Sequence, residues 1–311
     1  MKNFKIVALL LVVLFVLLEI FVFNTKTETK ESKPIVSVSS FSLYDITKHI
    51  AGSSVQLVNI LPFGTDPHSF ELTPKIMANI EKSSIVFYSG AGLEPWINKI
   101  TFKSKAIDMG NYVKLREIGS EEFEFHQHHD HQCAHNRVDP HYWLDFSNMQ
   151  IVTELITKEL IKIAPQNSEQ YIENKKSYIK MLQKLDKSYT KYLSNCQIET
   201  VILNHNSLGY LAHNYGFHSE SLSGLSPEEN PSPKDIQRVL HEIQKDGVST
   251  IFYENFVNSK VMQAISKDSD VKADVISPLG NITADDASAG LTYEELMYRN
   301  LEKLSKAMLC N

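Results

Sequence analysis

Beyond residue 33 the chain alternates short apolar runs with stretches whose apolar residues recur every three to four positions. Residues 35–39, 55–61, 84–89 and 106–108 read as strands rich in Val, Ile and Leu, whereas 41–51 and 93–100 carry helical spacing. Thr73 is placed to cap a further helix. Pro74 is favourable in its first turn, and Ile76, Met77 and Ile80 would face a core. From 148 to about 194 the pattern changes. There is no glycine and a single proline, Pro165. Ile151, Leu155, Ile156, Leu160 and Ile163 define one helix, and Tyr171, Tyr178, Met181, Leu182, Leu185 and Tyr189 a longer second one over 168–193. After Cys196 the alternation resumes, with strands at 200–203, 217–222, 248–253 and 273–276. Helices are expected at 208–215, from Ser232-Pro233 to Gly247, at 259–266 and at 293–309. Strand–helix alternation of this kind predicts parallel sheets with helices on both faces. The chain therefore divides into an α/β lobe over 34–147, a connecting helical segment over 148–195 and a second α/β lobe over 196–311. Ligands of such folds bind beyond the carboxyl ends of strands, so two facing lobes predict a cleft there.

Residues 1–33 speak of destination rather than fold. Lys2 and Lys5 precede an apolar run over 6–23 interrupted only by Glu19, the pattern of an export signal. No small-residue cleavage site or cysteine follows it, so a cleaved signal and a retained anchor fit equally, and both place the body outside the cytoplasm with the basic end inside. The composition, 42% hydrophobic and 22% charged with a net charge of −6, is that of a globular protein without the basic face a nucleic-acid binder needs. Three cysteines exclude a disulfide-dense scaffold, though one bridge is permitted outside the cytoplasm. Cys196 with Cys310 would suit it, both lying in the second lobe, but three free thiols fit equally.

The chemistry concentrates in histidines. His68 follows a strand in Asp66-Pro67-His68-Ser69-Phe70-Glu71. His141 precedes the long helical region in Asp139-Pro140-His141-Tyr142-Trp143-Leu144-Asp145, and His205 follows a strand in Asn204-His205-Asn206. They lie 73 and then 64 residues apart, a spacing that is useful only if the two lobes converge on one point. Neutral imidazole is a good Zn²⁺ ligand, and three of them leave a tetrahedral position open. Asp66, Asp139 and Asp145 are candidates to accept the second ring N–H. The repeated Asp-Pro-His fixes the backbone immediately before each of two rings.

These motifs, with Ser277-Pro278-Leu279-Gly280 ahead of the terminal helix, resemble the metal-binding solute-binding proteins of ABC importers, the zinc branch most closely. The resemblance covers about 34–309. It implies two (β/α) lobes with parallel sheets joined by a long rigid connecting helix, and a metal held by His68, His141 and His205 in the interlobe cleft. It further implies capture of Zn²⁺ in the periplasm or on the outer face of the cytoplasmic membrane, by a monomer that delivers the ion to an ABC permease and catalyses nothing. Rigidity of the connecting helix would make loop movement, rather than a wide hinge, accompany release, and protonation would favour release below about pH 6. The family pattern has an aspartate where this chain has Ser277, a poor zinc ligand. Water, Glu71 or Glu254 are the alternatives for the fourth position.

His126, His128, His129, His131 and His135 form a tract too polar to pack, and such tracts bind transition metals loosely. Similar loops occur in the zinc branch, so the tract is expected to collect zinc near the cleft mouth. Two alternatives stay open from sequence: the same binder tuned to manganese or iron, and a zinc hydrolase, for which no His-Glu-x-x-His helix is present.

Overall fold

In a computed structural model the described residues are 15, 33–118, 138–225, 231–254 and 260–311. The apolar N-terminal run, apart from Phe15, and the histidine tract with Cys133 lie outside them. Among the described residues no helix is long and apolar enough to cross a membrane. Residues Pro34–Asn311 form one unit.

The first lobe contains β1 (Ile35–Val38), α1 (Phe41–Ala51), β2 (Gln56–Asn59), α2 (Pro74–Glu81), β3 (Ile85–Tyr88) and β4 (Lys105–Asp108). Its strands form a parallel sheet in the order β2-β1-β3-β4. A short antiparallel ladder, β5 (Arg116–Glu117) with β6 (Val138–Asp139), leads to α3 (Phe146–Ile163). Pro165 ends that direction, and α4 (Ser168–Tyr192) returns. The second lobe contains β7 (Thr200–His205), α5 (Gly209–Tyr215), β8 (His218–Ser223), α6 (Pro233–Asp246), β9 (Thr250–Glu254), α7 (Lys260–Ser269), β10 (Lys272–Ile276), α8 (Ala284–Ser288) and α9 (Tyr293–Ala307). Its sheet, also parallel, runs β10-β9-β7-β8. Read from the other edge, the order matches the first lobe, so both lobes have the same topology. Each has its switch point beside its first strand.

Strand alternation sorts the core. Ile85, Phe87, Val201 and Leu203 join a core continuous through both lobes, while Val86 and Ile202 point to separate outer cores. The helix α4, 25 residues and about 38 Å long, ties the lobes through three buried tyrosines. Tyr171 Oη lies 2.6 Å from Ser54 Oγ, Tyr178 Oη donates to Asp45 Oδ2 (2.8 Å), and Tyr189 Oη donates to the Met297 carbonyl (2.7 Å). A hydroxyl hydrogen bond at each of three levels thus fastens the helix to both lobes. Cys196 and Cys310 are disulfide-bonded, joining the entry to β7 with the residues after α9.

Two expectations change. The stretch 93–100 is not a helix. Only Ile97–Lys99 makes a 3-10 turn, because Gly90, Ala91 and Gly92 all adopt positive φ and the buried Glu94 carboxylate accepts the backbone N–H groups of Ser89 and Gly90. Met77 does not face a core; it is exposed on α2, which buries only Ile80. The pattern also gave no sign of α8 or of the β5–β6 ladder, both too short to show periodicity.

Candidate metal centre

Each histidine is delivered by a different device. His68 sits in the long loop after β2, where Asp66 Oδ1 accepts the His68 backbone N–H (3.1 Å) and Oδ2 the Ser69 hydroxyl (3.1 Å). The second Asp-Pro-His builds the same turn, with Asp139 Oδ1 accepting the His141 backbone N–H (3.0 Å). The repeated tripeptide is therefore a repeated Asx turn that rigidifies the residue bearing the ring. His205 differs from the loop position expected of it. It is the last residue of β7, so the ladder itself fixes it.

The three rings meet. Centroids are 5.4 Å apart for His68–His141, 5.7 Å for His68–His205 and 5.4 Å for His141–His205. One nitrogen from each lies within 4.8 Å of the others. His141 and His205 are fully buried, His68 partly. Both His205 nitrogens are buried without a well-aligned hydrogen bond. Leaving polar atoms buried in this way is costly unless a ligand satisfies them. The cavity between the rings is small, about 10 Å³, the space of roughly one water molecule.

Carboxylates stand behind two of the rings. Asp139 Oδ1 lies 2.8 Å from His141 Nδ1, while Arg116 Nη1 approaches Asp139 Oδ2 at 3.4 Å. Glu254 Oε1 lies 2.9 Å from His205 Nδ1. Glu254 ends β9, and the β7–β9 register of Leu203 opposite Phe252 carries His205 opposite Glu254 two residues on. The pair thus occupies the switch point of the second sheet. The Asp139 carboxylate on Nδ1 directs His141 Nε2 toward the shared space, while Glu254 approaches His205 Nδ1 without forming an aligned hydrogen bond. Sequence reasoning placed Glu254 near the centre but missed this part; the strand-end position of both residues was the signal.

The remaining candidates go elsewhere. Asp66 does not touch the His68 ring. Asp145 caps α3 through the Asn148 backbone N–H (2.9 Å) and accepts from Asn214 (3.0 Å). Glu71 is exposed and paired with Lys99 at 3.0 Å, which removes it as a fourth ligand. Ser277 is held through its backbone by Asn300. Trp143 seals one side, its ring 5.4 Å from that of His141, its Nε1–H donated to the Pro278 carbonyl (2.7 Å) and its own carbonyl held by Tyr293 Oη (2.6 Å). Gly280 lies beneath the indole, where a Cβ would come within 3.1 Å of Trp143 Cζ2.

Burial dominates the protonation behaviour. It lowers His68 well below the ordinary imidazole value, with repulsion from His141 and His205 adding to it. Burial, then His141, brings His205 down to about 3. Burial raises Glu254 to about 8 and also raises Asp66. Two of the rings, His68 and His205, are thus held neutral by burial, as a cation's ligands must be.

Known proteins resemble this chain over most of its length. The chain is 31% identical over 294 residues to a zinc-binding protein, AdcA, of Streptococcus pyogenes serotype M3. That match covers 90% of this chain but only 57% of the relative, so the chain spans little more than half the relative's length. It is 29% identical to the high-affinity zinc uptake system protein ZnuA of Bacillus subtilis, covering 91% of this chain and 90% of that protein. The crystal structure of the Zn(II)-bound ZnuA-like domain of Streptococcus pneumoniae AdcA superposes with a TM-score of 0.72 at 27% identity, over 89% of this chain and 99% of that one. The sequence model of the ZnuA family, zinc-uptake complex component A periplasmic, matches residues 36–307. Matched from its first strand to the end of its last helix, the chain belongs to the ZnuA family of zinc-uptake components.

Proposed function

We propose that this protein captures Zn²⁺ outside the cytoplasm at His68, His141 and His205 and hands it to an ABC permease, without catalysing a reaction. One observation carries the proposal: three imidazoles from distant parts of the chain converge within 4.8 Å on a cavity of about 10 Å³. An all-nitrogen donor set suits zinc better than manganese, which prefers oxygen. The small cavity suits a single ion, with water at most as a fourth ligand, and is far smaller than the cavities that enclose organic substrates. Glu254 acts behind His205 in this arrangement rather than as the fourth ligand. The histidine tract, by composition, acts as a loose collector. Zinc titration against a competing chelator should give one tight site, with each single His→Ala variant losing at least 100-fold in affinity. Tight binding that survives two of the three replacements would refute the ligand set. Manganese competing at equal concentration would refute the metal.

A further inference from the structure

His68 differs from its two companions. Among the described residues no carboxylate lies within ion-pair distance of its ring, whereas His141 has Asp139 and His205 has Glu254. It is also carried by a loop rather than by a strand end or a buried turn. Something else must place it, since an error of 1 Å in a ligand spoils a coordination sphere.

The loop is gripped from the other lobe. Asn281 is fully buried and gives both protons of its Nδ2 to the carbonyls of Pro62 and Thr65, each at 2.7 Å. Its Oδ1 accepts the backbone N–H of Ile282 (2.9 Å), whose carbonyl accepts the Gly64 N–H (2.7 Å). Three backbone groups over 62–65, directly ahead of Asp66-Pro67-His68, are thus tied to a segment more than 200 positions away. The other end of that segment is fixed on His141's side, because Pro278 accepts Trp143 Nε1–H and Gly280 lies under the indole. Between these anchors Leu279 is fully buried at φ 57°, a left-handed conformation that costs a non-glycine residue and persists only where packing enforces it.

We infer that Asn281 is the positioning residue for His68: it fixes the loop on which that ligand rides to the segment that also anchors the His141 turn, and so sets the spacing of the two rings. This inference rests on the proposed ligand set. Asn281 touches no ion itself. It does for His68, through the backbone, what Asp139 and Glu254 do for the other rings through the imidazole.

A double-mutant cycle tests it. Asn281→Leu keeps the branched shape and removes both donors without adding charge; Asn281→Ala serves as a second variant. Each is made in the parent chain and in His68→Ala, and zinc affinity is measured by chelator competition alongside thermal melting of the zinc-free protein. The expected result is a loss of about 10–100-fold in the parent, the range for a group supporting a ligand from outside the coordination sphere, and less than twofold in His68→Ala. The Co²⁺-loaded Asn281→Leu protein should also lose intensity in its tetrahedral visible bands. Equal losses in both backgrounds, or none in the parent, would overturn the inference, because a purely structural effect does not depend on the ring at 68. If His68→Ala alone binds zinc as the parent does, the ligand set fails, and that failure is visible before the Asn281 arms are compared.

Discussion

Replacing Asp139 with asparagine should weaken zinc binding by about 10–100-fold and leave the fold in place. Asp139 is fully buried, with Oδ1 2.8 Å from His141 Nδ1 and 3.0 Å from the His141 backbone nitrogen. Asparagine keeps an oxygen there, so the turn and the hydrogen bond can persist while the charge is lost. Taking the ion as on the order of 7 Å from the carboxylate, across the ring and an Zn–N bond of about 2 Å, the Coulomb attraction at an effective dielectric of 20 is about 5 kcal/mol. That is an upper bound, since Arg116 at 3.4 Å already offsets part of the charge. The tenfold to hundredfold range corresponds to about 1.4–2.7 kcal/mol and fits beneath it. The assay is chelator competition above pH 7 at fixed ionic strength, paired with melting of the zinc-free protein. An affinity within threefold of the parent would refute the idea that the buried carboxylate strengthens His141 as a ligand. A large loss accompanied by collapse of the melting temperature would assign Asp139 to the fold instead.

Glu254, raised to about 8 from an ordinary 4.5, favours folding while protonated, a contribution present below pH 4.5 and lost as pH rises through 8. In urea unfolding without zinc, the stability advantage of the parent over Glu254→Gln should therefore shrink steadily between those limits; an advantage that grows with pH would contradict the burial argument. His205 behaves oppositely. Lowered to about 3 from 6.5, it contributes stability that is present above pH 6.5 and lost as pH falls toward 3, which His205→Phe should remove from the acid limb. Reducing or replacing the Cys196–Cys310 bridge, which spans 114 positions, should cost about 2–4 kcal/mol in urea unfolding while zinc affinity stays within threefold. Deleting 126–135 should leave one tight zinc site in calorimetry and remove the weaker ones; loss of the tight site would end the division between collector and centre.

The elements were legible wherever local chemistry decides them. Thr73-Pro74, Ser232-Pro233 and Gly247 mark helix ends by their own capping and φ preferences, and these are the observed boundaries. The break at Pro165 and the tyrosine stripe of α4 follow from the missing N–H and from helical spacing. The stretch 93–100 was misread because its apolar spacing is local, whereas Glu94 turns inward to the backbone of 89–90 and breaks the helix. At the centre, residue type and the repeated Asp-Pro-His singled out the three rings. Asp66, Asp139 and Asp145 looked equivalent as supports because each lies within four residues of a histidine. Only Asp139 reaches a ring; Asp66 closes its turn and Asp145 caps a helix.

By itself the sequence determined two parallel-sheet lobes, the long helical connection and the kind of ion the side chains suit, because periodicity, capping and ligand chemistry belong to short stretches of chain. Only the tertiary structure decided which acid backs which imidazole and what holds the loop at 62–65. Glu254 meets His205 because β9 lies beside β7 in the sheet, and Asn281 reaches Pro62 across 219 positions. Contacts of that kind are fixed by strand order and lobe docking, which depend on the whole core packing at once.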